Sequence, residues 1–198
     1  MTDTINRNML TGEYGYYNEQ TDYAFATDSA VAIDYSQGDS LFLHADTLLM
    51  ETFHQNTDSM FREMRAFHKV RFYRTDVQGT ADSLVFSTVD SCLTMYRDPI
   101  IWNKNQQLLG EVIKVYMNDS TIDWSHIIGQ ALSVERVDST IYNQVTGKEM
   151  KSYFTNGEMR KTEVIGSVRV VYYPMDSDST LIGMNVSETS KLEIYLQD

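Results

Sequence analysis

The chain has 198 residues, 42% of them hydrophobic, and carries 28 acidic against 16 basic side chains for a net charge of −12. That balance excludes the basic footprint a phosphate backbone needs, and so nucleic acid as a partner; it equally excludes a purely electrostatic hold on an anionic membrane. No run of about 18 apolar residues exists, so no membrane-spanning helix is expected, and the one cysteine, Cys92, excludes an internal disulfide.

Met1 to Asn8 is polar and lacks the apolar stretch of a signal peptide, so an exported form is expected to have its signal outside this chain. Residues 1–12 read as a flexible tail. From there the dominant period is two. Val31-Ala32-Ile33-Asp34-Tyr35 alternates, and Leu41-Phe42-Leu43-His44 does so more weakly. Ile113, Val115 and Met117 oppose Lys114; Val168, Val170 and Tyr172 oppose Arg169; Leu192, Ile194 and Leu196 alternate with Glu193 and Tyr195. β-Branched and aromatic residues fill these runs, as half-buried strands prefer. Turn chemistry separates them at Gln37-Gly38-Asp39, Val89-Asp90-Ser91, Asn103-Lys104-Asn105, Asn118-Asp119-Ser120, Thr146-Gly147-Lys148, Asn156-Gly157 and Asp176-Ser177-Asp178. A turn every roughly 8–12 residues is the rhythm of an all-β protein. In DSMFREMRAFHKV, Met60, Met64 and Phe67 also fit a short helix over Asp58 to Met64 capped by Asp58 or Ser59, with a strand from about Met64 onward. With no Pro/Gly/Ser-rich linker, the reading is one continuous elongated domain over 1–198.

A short unit recurs. Ala45-Asp46-Thr47-Leu48 matches Ala81-Asp82-Ser83-Leu84, and Val77-Gln78-Gly79 matches Leu108-Leu109-Gly110 and, more loosely, Leu181-Ile182-Gly183. Repeats of two or three strands predict a stacked β architecture in which neighbouring units cover one another's apolar faces. Its glycines would sit where a strand bends or a backbone passes closely.

Chemistry-bearing residues are scattered. His44, His54, His68 and His126 form no ligand motif, although His44 and Asp46, two apart on a strand, share a face. No metal or cofactor is expected. Serines flank aspartates in turns, which capping explains better than nucleophilic catalysis. Cys92, inside a strand, reads as a small buried hydrophobe. Glu158 and Glu163 are the carboxylates that a glycan-cleaving enzyme could use. The aromatic supply, 12% of the chain, fits cross-strand pairs or the wall of an apolar groove.

Three stretches carry a family resemblance: TDYAFATDSAVAIDYSQGDSLFLHADTL, VRFYRTDVQGTADSLVFSTVDSCLTMYRDPIIWNKNQQLLGE and NQVTGKEMKSYFTNGEMRKTEVIGSVRVVYYP. The cadence is a strand, Gly-x-Ala-Asp-x-Leu, an Asp turn, an apolar pair before Trp102 and the return Gln107-Leu108-Leu109-Gly110. In this order they resemble the organic-solvent-tolerance family, the lipopolysaccharide-transport proteins of Gram-negative envelopes, and most of all their OstA-like members in the Bacteroidetes. Thr121 to Ser139 has no clear place in the short bridging members, and longer members continue into further repeats, which leaves this chain open to being a fragment.

The resemblance implies an open antiparallel β-jelly-roll, a bent stack of strands likened to a folded taco, whose apolar interior cradles lipid A acyl chains. It implies a non-enzymatic protein of the periplasm, with outer-membrane association left open, that binds and shields lipopolysaccharide in transit. Its partners would be other lipopolysaccharide-transport β-domains, or further copies of itself, stacked by edge strands near Tyr23 to Ile33 and Lys191 to Leu196. The lining would fall on the more apolar face of each strand: Ile33, Leu43, Phe72, Leu84, Phe86, Leu93, Met95, Ile113, Val115, Val170, Tyr172, Met184 and Ile194. A different class of reading is a structural β-solenoid scaffold or adhesin-like interaction module, which would have a closed, dry core. A glycan enzyme would instead set two carboxylates roughly 5–9.5 Å apart in a cleft.

Overall fold

The computed structural model describes residues 2–4, 7–36, 38–118, 121–178 and 180–196. These form fifteen strands and no helix. Contacts divide the chain into two compact units, Met1–Pro99 and Ile100–Asp198, so the expectation of one domain over 1–198 becomes a description in two parts. The first holds β1 (Thr2–Asp3), β2 (Asn8–Thr11), β3 (Tyr14–Asn18), β4 (Tyr23–Asp34), β5 (Leu41–Phe53), β6 (Phe61–Arg74), β7 (Val77–Ser87) and β8 (Cys92–Tyr96). The second holds β9 (Ile100–Asn103), β10 (Gln106–Leu109), β11 (Val112–Asn118), β12 (Thr121–Arg136), β13 (Tyr142–Thr155), β14 (Glu158–Tyr172) and β15 (Asn185–Tyr195).

Both units are antiparallel meanders, as expected of an all-β fold of stacked strand repeats. In the first, β4 to β8 pair in chain order, and β2 and β3 share the free edge of β4 at its two ends. In the second, β11 to β15 pair in order, and β10 joins β9 to β12. The Asn156-Gly157 turn behaves as its chemistry demands. Both residues take positive φ (54° and 79°), and Thr155 pairs with Glu158 across a two-residue hairpin.

One local device repeats. At its middle each long bent strand holds two consecutive left-handed residues: Asp28 and Ser29, His68 and Lys69, Gly129 and Gln130, Gly166 and Ser167. Arg97 and Asp98 form the same pair just after β8. Wherever such a pair lies inside a strand, two residues oppose one on the next strand. Asp28 and Ser29 face Asp46, His68 and Lys69 face Asp82, Gly129 and Gln130 face Lys148, and Gly166 and Ser167 face Ser190. These are β-bulges, which bend the strand and increase its twist. A left-handed non-glycine residue costs roughly 1–2 kcal/mol. The flanking residues are buried in every case: Ala26 and Ala30, Ala66 and Val70, Met95 and Pro99, Ile127 and Ala131, Val164 and Val168.

The recurring Ala-Asp-(Ser/Thr)-Leu unit is the partner of these bends. Its alanine and leucine point into the core, and its aspartate pairs with the bend residues. Asp46 Oδ2 lies 3.2 Å from Lys69 Nζ, and Asp82 lies 3.3 Å from His68 Nδ1 and 3.1 Å from Arg97. Glu111 holds the corresponding place in the second unit and accepts from Gln130 Nε2 at 3.2 Å. By these registers Gly110 matches Ala81, not Gly79, so the expected Val77-Gln78-Gly79 repeat is out of phase by two residues. Leu181-Ile182-Gly183 lies in no strand.

Several expectations change. No helix forms over Asp58 to Met64: β6 begins at Phe61, and Met64 pairs with Met50 and Phe86. Met60 and Phe67, which gave the helical spacing, are exposed, so cross-strand pairing overrides the local period. Thr146-Gly147-Lys148 is not a turn but the partner side of a bend inside β13. Within the expected tail, Asn8–Thr11 forms β2 against Val31 to Asp34. β4, expected as an edge, is covered on both sides. Thr121 to Ser139, without a place in the family cadence, supplies the ordinary long strand β12. Gln37, Asp119 and Ser120 of two expected turns lie outside the described residues.

A Cβ on Gly147 would meet Val164 Cγ1 at 2.5 Å and the Ile165 carbonyl at 3.2 Å. Gly147→Ala should therefore destabilise by about 1–3 kcal/mol, the usual cost of overpacking. Gly183→Ala, with nothing within 4 Å of the added carbon, should stay within about 0.5 kcal/mol. Urea denaturation of both variants checks this; equal shifts would contradict the close approach.

Candidate functional site

Directly opposed residues share a face and successive residues alternate, so the registers place every side chain. In the first unit the row beside the bend is Gly15–Ala26–Leu48–Ala66–Leu84–Met95. The row beyond it is Tyr17–Ala24–Met50–Met64–Phe86–Leu93. Across the bend, Ala30 faces Ala45 and Val70 faces Ala81, followed by the row Ala32–Leu43–Phe72–Gly79.

The second unit repeats the plan. Ile113–Ile127–Met150–Val164–Leu192 lies beside the bend, and Val115–Ser125–Ser152–Thr162–Ile194 lies beyond. Across the bend runs Ile101–Leu108–Ser133–Val145–Val170–Ser187.

Of the expected lining residues, Leu43, Phe72, Leu84, Phe86, Leu93 and Met95 fall on this face of the first unit. Ile113, Val115, Val170, Tyr172 and Ile194 fall on that of the second. Ile33 does not. It pairs with Phe42 and Met9 on the opposite face, where Phe42 and Tyr73 are exposed. In β4 the two alanines Ala30 and Ala32 point inward and the bulkier Val31 and Ile33 point out. Met184 lies in the connection between β14 and β15, 61% exposed and on no strand face. Sequence reasoning missed Met50, Met64, Ile127, Met150 and Val164. Their strands mix charges on the outer face with apolar residues inside, a signal the alternation at Arg62 to Ala66 and Lys151 to Thr162 carries once the bends are known.

Burial along this face is graded. Beside the bends, Leu84, Met95, Ile113, Ile127, Val164 and Val168 are sealed, none above 2% exposed. One row further out in the first unit, Met50, Met64, Phe86 and Leu93 are only half-buried, as is Phe72 on the other arm. The corresponding row of the second unit has buried hydroxyls instead: Ser125, Ser152 and Thr162, with Ser152 Oγ 2.9 Å from Thr162 Oγ1.

The opposite face carries the charge. Tyr116 stacks on Trp124 with centroids 4.0 Å apart and planes within 4°, and Tyr153 follows at 6.5 Å. Lys161 Nζ lies 5.2 Å from the Tyr195 ring centroid, 2.5 Å from Glu163 and 3.7 Å from Glu193. Lys191 lies 2.5 Å from Glu193. The Lys191 and Tyr195 hydrogen bonds hold the Glu193 carboxyl down at about 2. Glu163 is held below the usual carboxylate range by its hydrogen bond from Lys161. A general acid needs the reverse shift, so the environment of Glu163 does not fit that one role. His126 Nε2 lies 2.9 Å from Glu149. Asp46 is engaged with Lys69 rather than paired with His44. Among the described residues no group of three or more His, Cys, Asp or Glu is placed to hold a metal. Cys92 is buried, its Sγ 3.6 Å from Thr94 Oγ1.

The Glu193 network fastens the terminal strand β15, whose own residues are mostly exposed. Its folded pKa lies below the ordinary glutamate value of 4.5. The stabilisation is therefore full above that value and is lost as pH falls from it toward about 2. Amide protection in β14 and β15, taken relative to intrinsic exchange at each pH, should fall over that acid window in the parent. In Glu193→Gln protection should be lower already at neutral pH and lose most of its acid dependence; identical protection profiles would deny the network this role.

No protein-family model and no curated protein matches the chain. Among solved structures, the chain is similar to the crystal structure of LptH, the LptA homologous periplasmic component of the conserved lipopolysaccharide transport device from Pseudomonas aeruginosa. The TM-score is 0.48 at 8% sequence identity, over 71% of this chain and 91% of that chain.

Proposed function

We propose that the chain binds the acyl chains of lipopolysaccharide on its inward sheet face and shields them from water during transit through the periplasm to the outer membrane. The observation that carries this reading is the graded burial. A row of large, flexible apolar side chains, Met50, Met64, Phe86 and Leu93, stands half-buried beyond a sealed bend. Such side chains adapt to irregular apolar partners. Each methylene moved onto them from water contributes about 0.8 kcal/mol. A shallow face that contacts part of each chain can thus hold an amphiphile and still release it. The motif order shared with the organic-solvent-tolerance family supports the ligand's identity and the periplasmic setting. β15, the last strand of its unit, has a backbone edge that could pair with another β-domain. The sealed rows beside the bends favour a second reading, a structural β-scaffold or adhesin-like module.

Displacement of a fluorescent fatty acid by lipopolysaccharide separates the two. Met64→Gln keeps the side chain's size and places an amide on the half-buried row. Loss of roughly 1–2 kcal/mol of apolar contact should weaken displacement about fivefold to thirtyfold. Lys114→Gln, on the opposite face, should leave it unchanged. A parent protein that binds no acyl probe supports the scaffold; a folded Met64→Gln that binds like the parent moves the site elsewhere.

A further inference from the structure

At the end of the second unit's inward face, one step beyond Ile101, Leu108, Ser133, Val145 and Val170, the registers align a polar row. Asn103 faces Gln106, Gln106 faces Glu135, and Glu135 faces Asn143; Tyr172, facing Asn185, continues it beside Asn143. We propose that this row is a recognition site for an uncharged, hydroxyl-rich sugar headgroup whose acyl chains lie on the apolar rows behind it. The proposal rests on the acyl-binding reading above and adds the class of headgroup.

The chemistry of the row is that of sugar recognition. Carboxamides supply both donors and acceptors, an ionised carboxylate accepts from hydroxyls, and a tyrosine offers a ring face and a hydroxyl. Neighbouring contacts hold these groups in place. The Tyr173 N–H donates to Asn143 Oδ1 at 2.9 Å, and Asn143 Nδ2 donates to Glu135 Oε2 at 3.3 Å. Gln106 Nε2 donates to Ser133 Oγ at 3.0 Å, and Asn105 Nδ2 reaches the Arg136 carbonyl at 3.2 Å. The row is nonetheless open: Asn103, Glu135, Tyr172 and Asn185 are exposed.

Charge selects against a phosphate at this place. The row contains no lysine or arginine, and the Glu135 carboxylate sits at its centre. Arg136, next along β12, points to the opposite face. Nor does the fold demand such a row. The matching positions of the first unit are Asp34, Leu41, Arg74 and Val77, where Arg74 is held by Asp76 at 2.6 Å.

The test uses the full chain and two single-chain amphiphiles below their micelle concentrations, decyl maltoside and decyl phosphate, each displacing a fluorescent fatty acid. Decyl maltoside should displace it at a lower concentration, by about fivefold to tenfold, as one or two net hydrogen bonds would give. Gln106→Leu and Glu135→Gln, each confirmed folded by thermal melting, should narrow that gap to about twofold or less, the cost of losing those hydrogen bonds. Displacement by decanoic acid should not move. Equal displacement by the two amphiphiles, preference for the phosphate, or a gap unchanged in both variants overturns the headgroup site and leaves acyl binding standing. Failure of every ligand, decanoic acid included, overturns acyl binding and the headgroup site together.

Discussion

Everything inward-facing in this protein follows from one backbone event: two consecutive residues in the left-handed region set against a single residue of the neighbouring strand. A flat sheet would leave one face of Leu84, Met95, Ile127 or Val164 in water. The bulge turns the strand, and the apolar side chains on either side of it are buried. The left-handed pair and the buried residues on either side of it recur together, from Ala26–Ala30 to Val164–Val168.

The bend also dictates composition. The position that faces it on a partner strand is small at Ala45, Ala81, Gly110 and Gly147, while Thr189 stands there on β15. The next position must tolerate two backbone amides and two side chains opposite it. Asp46, Asp82 and Glu111 answer that with ion pairs or hydrogen bonds to the bend residues. Such half-exposed pairs are each worth little alone. Their value is in orienting the corner, where the alternative is an unpaired polar group beside a tight backbone.

Distance from the bend then sorts the chemistry of the inward face. Rows next to it are sealed and serve stability. Rows farther out are free to differ between the two units, and they do. The first unit places Met50, Met64, Phe86 and Leu93 where the second has Val115, Ser125, Ser152 and Thr162. At the open end the contrast widens to Arg74 among aspartates in one and a carboxamide row in the other. A fold whose core is confined to a seam can vary its outer rows at little cost, which suits a surface that meets ligands. On the opposite face the aromatic ladder links β11 to β13 and the Lys161, Glu163, Lys191 and Glu193 network links β14 to β15, without drawing on the seam.

Period-two alternation, turn residues and the Ala-Asp-(Ser/Thr)-Leu repeat were local properties, and they made the all-β class, most strand positions and the phase of β5 against β7 legible from sequence alone. Eleven of the thirteen positions expected on the inward face lie on it, for the same reason: alternation within one strand is decided by chemistry within that strand. The bends were not legible, because Asp28-Ser29 or His68-Lys69 looks like any polar pair until partner strands show two residues opposing one. Thr146-Gly147-Lys148 was therefore assigned to a turn and Gly110 to the phase of Gly79; Ile33 was assigned inward because Val31 and Ile33 form the more apolar side of a strand whose inward side is alanine. Tertiary structure alone decided which rows are sealed and which stand half-open. That depends on how closely two arms of a sheet approach across a bend, a distance no single strand encodes.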